Sequence, residues 1–272
     1  MYDYLVLGSS GFIGSNFCNY LKSRSFNFKG VSRSDNTSEL FLDNKFINLP
    51  DSKITIYIAE TNDIRQANSM GEEFINLNVT RLRSALESSI KSSFVYFSSA
   101  SVYGDKKIGN RSTHESLTPS SVYTESKLKC EELALSYGAL VLRAGNIFGP
   151  NMQAKNIFTD IINQIHNDVI LINDLKPIRD FIYIDDVNYF LGNLYDNFSS
   201  GLYNLASGLG TSIDDVVKLT LRCVGKDIRV NQITENSPPS TIILNIDETK
   251  TKFNWEPKIS FEEAVKILIN KK

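Results

Sequence analysis

Two hydrophobic patterns alternate along the first half of the chain. Short apolar runs that end at glycine or polar residues are typical of strands buried on both faces, and residues 4–7, 28–32 and 54–59 form such runs. Apolar residues at helical spacing follow the first run. The alternation of helices and strands continues over residues 72–90, 94–97, 120–137 and 139–143. This order predicts an α/β fold with crossover connections and a mostly parallel sheet.

The second half of the chain is less regular. Polar residues that favour a helix N-terminus, Thr211 and Ser212, precede an amphipathic segment. Helices are predicted over 157–165, 187–195 and 211–224, a strand over 181–184 and a loop over 236–240. These elements suggest a smaller unit that follows the parallel sheet.

Composition and charge narrow the function. The 272 residues carry 29 basic and 31 acidic side chains, and this balance argues against a dedicated nucleic-acid binder. Cys18, Cys130 and Cys223 have neither metal nor disulfide spacing, and with only His114 and His166 no metal site is expected. The sequence shows neither a signal peptide nor an apolar run long enough to span a membrane, so a cytoplasmic protein without membrane association is expected.

A glycine triplet follows the first predicted strand. In GSSGFIGS, Gly8, Gly11 and Gly14 stand between a strand and a helix, where glycine lets the backbone approach a pyrophosphate at the helix N-terminus. An ordinary strand-to-helix turn is the alternative, but the strand–turn–helix context favours dinucleotide binding. The cofactor-binding turn is predicted to include Gly8, Ser10, Gly11, Phe12, Ile13 and Gly14.

The second predicted strand ends in VSRS rather than in an acidic residue. An acidic side chain there usually holds the ribose of NAD. Arg33 instead suits the 2′-phosphate of NADP, with Ser32 and Ser34 as hydroxyl donors. The sequence therefore favours NADP(H) over NAD(H). An exposed arginine without a ligand, or NAD bound by Asp35, are the alternatives.

Tyr123 and Lys127 lie four residues apart on a predicted helix and so share one face. A lysine ammonium stabilises a nearby phenolate and lowers the pKa of the tyrosine, which fits it for proton transfer near neutral pH. Ser99, at the end of a predicted strand, is a candidate to bind the same substrate oxygen. These three residues are predicted to be catalytic.

Five motifs in this order resemble the extended short-chain dehydrogenase/reductases, and more narrowly the NAD-dependent epimerase/dehydratase group that acts on nucleotide sugars. The motifs are GSSGFIGS, FVYFSSASVYG, YTESK, LRAGNIFGP and RDFIYIDDV. The resemblance implies a Rossmann-type doubly wound parallel sheet with a small C-terminal substrate-binding lobe. It implies that residues 1–147, with 178–222 returning, form the dinucleotide-binding domain, and that 148–177 and 223–272 form the lobe.

The resemblance also assigns roles to single residues. Ser99, Tyr123 and Lys127 match the family's catalytic residues, the last two also touching the cofactor. Ala59 and Asn78 match cofactor-side residues. Asn146 matches a residue beside the sugar nucleotide, and Arg179 an arginine that holds the substrate diphosphate. A turn-forming asparagine, and an arginine paired with Asp185 or Asp186, are the respective alternatives.

Two regions depart from the family pattern. Residues 46–49 are a candidate third strand, but almost no chain separates them from the next strand, so the adenine side of the site is expected to be trimmed. Ala100 and Ser101 stand where 4,6-dehydratases carry an acid and a base. Ser101 and Asn151 stand where reductases that also epimerise carry cysteine and histidine.

These departures leave a simple reductase or a 4-epimerase. Arg33 favours NADPH-dependent reduction of a nucleotide-linked 4-keto-6-deoxy sugar, with Tyr123 as proton donor, and a 4-epimerase with tightly bound NAD is the alternative. A redox-inactive binding protein has no use for the serine, tyrosine and lysine set. In the resembled family a helix pair like the predicted 72–90 and 120–137 often meets its copy in a four-helix bundle, so a homodimer is expected.

Overall fold

The computed structural model describes residues 1–33, 40–107, 109–152, 156–234 and 238–270. The helices are α1 (Phe12–Ser23), α2 (Ile64–Met70), α3 (Glu72–Ser88), α4 (Val122–Ser136), α5 (Ile157–Ile162), α6 (Ile184–Asn197), α7 (Ile213–Cys223), α8 (Asp247–Phe253) and α9 (Phe261–Asn270). The strands are β1 (Tyr2–Leu7), β2 (Phe28–Val31), β3 (Phe41–Leu42), β4 (Lys45–Phe46), β5 (Ser52–Tyr57), β6 (Ser93–Ser99), β7 (Asn110–Arg111), β8 (Leu140–Ala144), β9 (Asn146–Phe148), β10 (Val169–Ile172), β11 (Ile178–Tyr183), β12 (Gly201–Leu205), β13 (Gly210–Ser212), β14 (Arg229–Gln232) and β15 (Thr241–Leu244).

Within the described residues, a parallel sheet of six strands forms the centre of the molecule. Its order is β12-β8-β6-β5-β1-β2, and every neighbouring pair is parallel. The chain starts at β1, crosses to β2 on one side and returns to β5 on the other. Such a reversal opens a crevice at the carboxyl ends of the strands, which is where ligands bind in folds of this kind. The predicted α/β fold with a doubly wound parallel sheet is confirmed.

The sheet is covered on both faces because alternate side chains of each strand point in opposite directions. In β1, Tyr4 and Val6 pack with residues of α1 and α6, while Leu5 and Leu7 pack with residues of α3 and α4. All four side chains are fully buried. This double burial explains why the strand appears in the sequence as an unbroken apolar run.

The prediction of a third sheet strand at 46–49 is wrong. Lys45–Phe46 pairs antiparallel with Phe41–Leu42 in a separate hairpin, whose turn residues Asp43 and Asn44 both have positive φ angles of 49° and 62°. A parallel strand needs a crossover of about a dozen residues or more, and only a few residues lie between this segment and β5. The hairpin lies on α3 instead, where Phe46 N donates to Ser84 Oγ at 2.9 Å. On the adenine side of the site, where a shortened chain is expected, a hairpin therefore stands in place of a strand and a helix.

A second sheet lies beyond the central one. Its order is β13-β11-β15-β7, and β9 also pairs with β11. Of the segment expected to return to the dinucleotide-binding unit, β12 joins the central sheet and α6 covers it, whereas β11 pairs in the second sheet. The division into two domains at the stated boundaries stays a prediction. No helix in the described part of the chain combines the length and apolar character needed to cross a membrane.

Candidate active site

The glycine turn between β1 and α1 is built by close backbone contacts. Gly8 has a φ of +101°, and a Cβ there would lie 2.6 Å from Ile58 O. A Cβ at Gly14 would overlap Gly8 O. Gly11 is the N-cap of α1, which has neither a side-chain cap nor an acidic residue in its first turn. Backbone N–H groups and the positive end of the helix dipole are therefore left for an anion, which fits the pyrophosphate of a dinucleotide.

A cavity of about 830 Å³ opens at the carboxyl ends of the central strands. It extends from the glycine turn to the residues that follow β5, β6 and β8, so one cavity joins the predicted cofactor turn and the predicted catalytic residues. The predicted site residues that line it are Gly8, Ser10, Gly11, Phe12, Ile13, Gly14, Arg33, Ala59, Ser99, Tyr123 and Lys127.

Helix α4 positions two of these side chains. Ser121 caps its N-terminus and forms a capping box with Thr124, which fixes the start of the helix. Tyr123 and Lys127 then lie one turn apart, and Lys127 Nζ is 6.0 Å from the centre of the Tyr123 ring. Both side chains line the cavity, as their spacing predicts.

The ammonium group of Lys127 is buried and has two partners among the described residues. It forms an ion pair with the Glu60 carboxylate and donates to Phe97 O at 2.9 Å. The hydroxyl of Tyr96 donates to the other carboxylate oxygen, Glu60 Oε1, at 2.7 Å. Burial alone would lower the pKa of Lys127, but the Glu60 charge outweighs it and holds that pKa above its usual value. Lys127 is therefore a fixed cation at neutral pH.

Ser99 ends β6 and also lines the cavity. Its Oγ lies 2.9 Å from Ser101 Oγ and accepts a hydrogen bond from Ser101 N at 3.2 Å. The adjoining Ala100 is buried. The two positions after Ser99 thus offer a methyl group and a hydroxyl, neither of which transfers protons readily near neutral pH.

The cavity is also lined by two guanidinium groups. Arg33 Nη1 donates to Thr61 Oγ1 at 3.1 Å, and Arg81 Nη1 donates to the same oxygen at 2.8 Å. Arg81 is buried and also donates to Asn44 Oδ1 at 2.7 Å. Burial, and secondarily the charge of Arg33, lower the pKa of Arg81. Two converging cations favour an anionic ligand beside them.

The hydroxyls predicted beside Arg33 are only partly described. Ser32 Oγ lies 2.7 Å from Ser10 Oγ, so it joins the end of β2 to the glycine turn. Ser34 and Asp35, the other residues considered for the ribose, lie outside the described residues.

Three predicted residues lie elsewhere. Asn78 is buried behind the cavity wall, where its side chain accepts from Thr61 N and donates to Thr61 O, each at 3.1 Å. Asn146 is exposed on β9, beside the lining residues Gly145 and Ile147.

Arg179 binds Ser240, with Nη2 2.6 Å from Ser240 Oγ, and lies 3.9 Å from Asp105 Oδ2. Its acidic neighbour is therefore Asp105, not Asp185 or Asp186. Neither Arg179 nor Asn146 nor Asn78 is among the described residues that line the cavity.

Sequence reasoning missed Glu60 and Arg81. Glu60 directly follows a buried strand, and a charged residue at the carboxyl end of such a strand is itself a signal for the binding crevice. Arg81 interrupts the apolar face of α3 next to Leu82. A buried charge on an otherwise apolar face indicates a partner or a ligand.

The model of the NAD dependent epimerase/dehydratase family matches residues 4–206. The chain belongs to this family. Members are NAD(P)-dependent nucleotide-sugar enzymes, among them epimerases, dehydratases and reductases, on the Rossmann-type fold of the extended short-chain dehydrogenase/reductases. The resemblance read from the motifs is thereby confirmed.

Relatives within the family differ in reaction. The chain is 26% identical to a low-salt glycan biosynthesis protein of Haloferax volcanii, over 98% of this chain and 97% of that protein. It is 23% identical to a GDP-6-deoxy-D-mannose reductase of Pseudomonas aeruginosa, over 97% and 95%.

Solved structures share the fold at low identity. The RMD structure from Pseudomonas aeruginosa complexed with NADPH matches with a TM-score of 0.85 at 19% identity, covering 98% of each chain. The UDP-glucose 4-epimerase of Thermotoga maritima with UDP-glucose matches with a TM-score of 0.81 at 22% identity, over 98% and 97%. The chain therefore shares the fold of these enzymes.

Proposed function

We propose that this protein is an NADPH-dependent reductase of a nucleotide-linked 4-keto-6-deoxy sugar. The observation that carries the proposal is the single cavity that joins the glycine turn to Ser99, Tyr123 and Lys127. A cofactor whose pyrophosphate lies on the turn extends along this cavity toward the three side chains. The sugar then binds at the Tyr123 end.

Tyr123, Lys127 and Ser99 have different roles in the proposed reaction. NADPH supplies the hydride that reduces the keto carbon. Tyr123 donates its phenolic proton to the carbonyl oxygen, which becomes the product hydroxyl, and then regains a proton from solvent. Lys127 stabilises the transient phenolate through its positive charge, and Ser99 donates a hydrogen bond that orients the carbonyl.

The residues beside Ser99 support reduction without further chemistry. Elimination of water across the sugar needs an acid and a base, and Ala100 and Ser101 supply neither. Asn151 and Ser101 also cannot replace a histidine and cysteine in epimerising neighbouring carbons. The side chains at these positions therefore support a single hydride transfer and a single proton transfer.

The two guanidinium groups support NADPH as the cofactor. Arg33 lies at the end of β2, the position that meets the adenosine ribose in folds of this kind. A 2′-phosphate there would be held by charge-assisted hydrogen bonds from Arg33, with the charge of Arg81 close behind. An NAD-preferring site places a carboxylate at this position instead.

A panel of nucleotide-linked 4-keto-6-deoxy sugars tests the proposal. We expect at least one dTDP-, GDP-, CDP- or UDP-linked member to oxidise NADPH faster than NADH, and the reduced sugar to accumulate in equal amount. Purified protein that carries tightly bound NAD, interconverts 4-epimers and consumes no external cofactor would instead establish the 4-epimerase.

We also propose that the protein is a homodimer. Helices α3 and α4 pack side by side on one face of the sheet. A two-fold axis through such a pair of helices gives a four-helix interface, and two-fold dimers are the commonest oligomers. Light scattering at micromolar concentration should give twice the mass of the chain, whereas a monomer mass would contradict the proposal.

A further inference from the structure

Glu60 is a carboxylate in the wall of the catalytic end of the cavity. Its side chain is 5% exposed and that of Lys127 is 8% exposed, so both charges are shielded from water. One carboxylate oxygen pairs with Lys127 and the other accepts from Tyr96. These contacts hold the Glu60 carboxylate in place.

The two charges cancel at this end of the cavity. Of the described residues that line it, four carry charged side chains: Arg33, Arg81, Glu60 and Lys127. The two arginines both donate to Thr61, the residue that follows Glu60. Burial and the Glu60 charge raise the pKa of Tyr96 well above its usual value, so that side chain is neutral. The pair formed by Glu60 and Lys127 therefore carries no net charge as a whole, while the ammonium group itself still lies 6.0 Å from the centre of the Tyr123 ring.

The charge of the wall matters because a nicotinamide ring changes charge in the reaction. The ring is cationic when oxidised and neutral when reduced. An unpaired lysine beside it would disfavour the oxidised form, and a carboxylate of equal and opposite charge removes that bias. In a shielded site this effect is larger than it would be in water.

We propose that Glu60 is a positioning residue that cancels the charge of Lys127 and thereby sets the balance between oxidised and reduced nicotinamide bound in the cavity. The proposal rests on the nicotinamide cofactor of the proposed function, but not on the identity of the sugar. The same contacts hold the Lys127 ammonium against Phe97 O, which fixes its direction in the cavity.

The test is the affinity of Glu60→Gln for both cofactor forms. Glutamine keeps the shape and the hydrogen-bonding capacity of the side chain but leaves Lys127 uncompensated. The experiment uses the folded protein near neutral pH. It measures the dissociation constant of NADPH by fluorescence and that of NADP⁺ by calorimetry. We expect the preference for the reduced form to rise about tenfold. For a two-electron couple this shift equals about 30 mV in the potential of the bound cofactor.

Two further variants separate charge from structure. Glu60→Gln combined with Lys127→Met makes the wall neutral again, so the ratio of the two affinities should return toward the wild-type value. Glu131→Gln is the control. Glu131 lies one turn of α4 after Lys127 and is as buried as Glu60, but its carboxylate does not line the cavity. That control should change the ratio less than threefold even where it lowers the melting temperature.

Several results would overturn the inference. One is a Glu60→Gln protein that melts normally and keeps the wild-type ratio of NADPH affinity to NADP⁺ affinity. Another is an equal loss of affinity for NADPH and NADP⁺, because a purely structural role predicts that pattern. A double variant whose ratio stays as shifted as in the single variant would also contradict charge cancellation. Normal cofactor binding with no activity on any keto sugar would count against the proposed reductase and leave this inference standing.

Discussion

Helix α4 contributes to two buried ion pairs that differ in what they face. Lys127 pairs with Glu60, with side chains 8% and 5% exposed, and Glu131 pairs with Arg143, with side chains 5% and 6% exposed. The first pair lines the cavity, and the second does not. By burial alone the two pairs are indistinguishable.

The contacts of the second pair account for its role. Arg143 Nη2 donates to Glu131 Oε2 at 2.7 Å, and Ser98 Oγ donates to Glu131 Oε1 at 2.5 Å. The guanidinium also lies 4.9 Å from the centre of the Tyr103 ring. These bonds tie α4 to β6 and β8, so this pair holds the helix on the sheet. Access to the cavity, rather than burial, is what distinguishes the two pairs.

The largest effect is expected from Glu131→Ala. Removal of one partner of a buried pair leaves Arg143 charged and uncompensated, which costs about 3–5 kcal/mol of unfolding free energy. Urea denaturation followed by circular dichroism measures the loss. Protein that remains folded should bind cofactor normally, and an equally large loss of cofactor affinity would break the distinction between the two pairs.

Tyr123→Phe tests the cavity side of the comparison. The change removes the hydroxyl but little volume, so the fold and cofactor binding should persist while turnover falls by at least about 10²-fold, the range for loss of a general acid. Steady-state kinetics on the substrate found in the panel provide the measurement. Near-normal turnover would show that another group transfers the proton.

Arg33→Asp tests a charge of the same cavity that is exposed to water. We expect NADPH binding to weaken by roughly thirtyfold, equal to about 2 kcal/mol, because two charge-assisted hydrogen bonds to the 2′-phosphate are lost. NADH binding should be unchanged or improved. The effect should shrink as salt rises, since an exposed charge is screened. Equal affinity of the wild-type protein for NADH and NADPH would contradict the assignment.

Lys129→Ala removes one partner of an exposed ion pair on α4, for comparison with the two buried pairs. Lys129 pairs with Glu125 at 2.9 Å, and the two side chains are 50% and 41% exposed. Surface pairs of this kind contribute little to stability. We expect no measurable change in the urea midpoint or in cofactor affinity, and a clear change in either would mean that exposure is a poor guide on this helix.

The parts of the site that the sequence predicts are those fixed by local spacing. Gly11 and Gly14 are set by backbone contacts within a single turn, and Tyr123 and Lys127 by one turn of helix. Glu60 has no partner at a fixed spacing, because Lys127 lies 67 residues further along the chain. Its role depends on strands that meet only in the folded protein.

Prediction of the fold from the sequence is limited in the same way. The long apolar strands of the central sheet are evident from their burial on both faces, and the predicted bounds lie within two residues of the observed ones for β1, β5 and β6. The hairpin of β3 and β4 was missed because each strand has two residues, too few for an alternating pattern. Asp43 and Asn44, which suit a turn with positive φ angles, were the available signal.

The double hydrogen bond between Asn78 and the backbone of Thr61 has a consequence for binding kinetics. With Glu60 held by Lys127 and Tyr96, the segment after β5 is anchored to α3 and α4 before any ligand arrives. Such a floor is preorganised, so little conformational entropy is lost there when a dinucleotide binds. We expect the rate of cofactor exchange to be governed by the exposed rim around Arg33, since the floor has no loose segment to open.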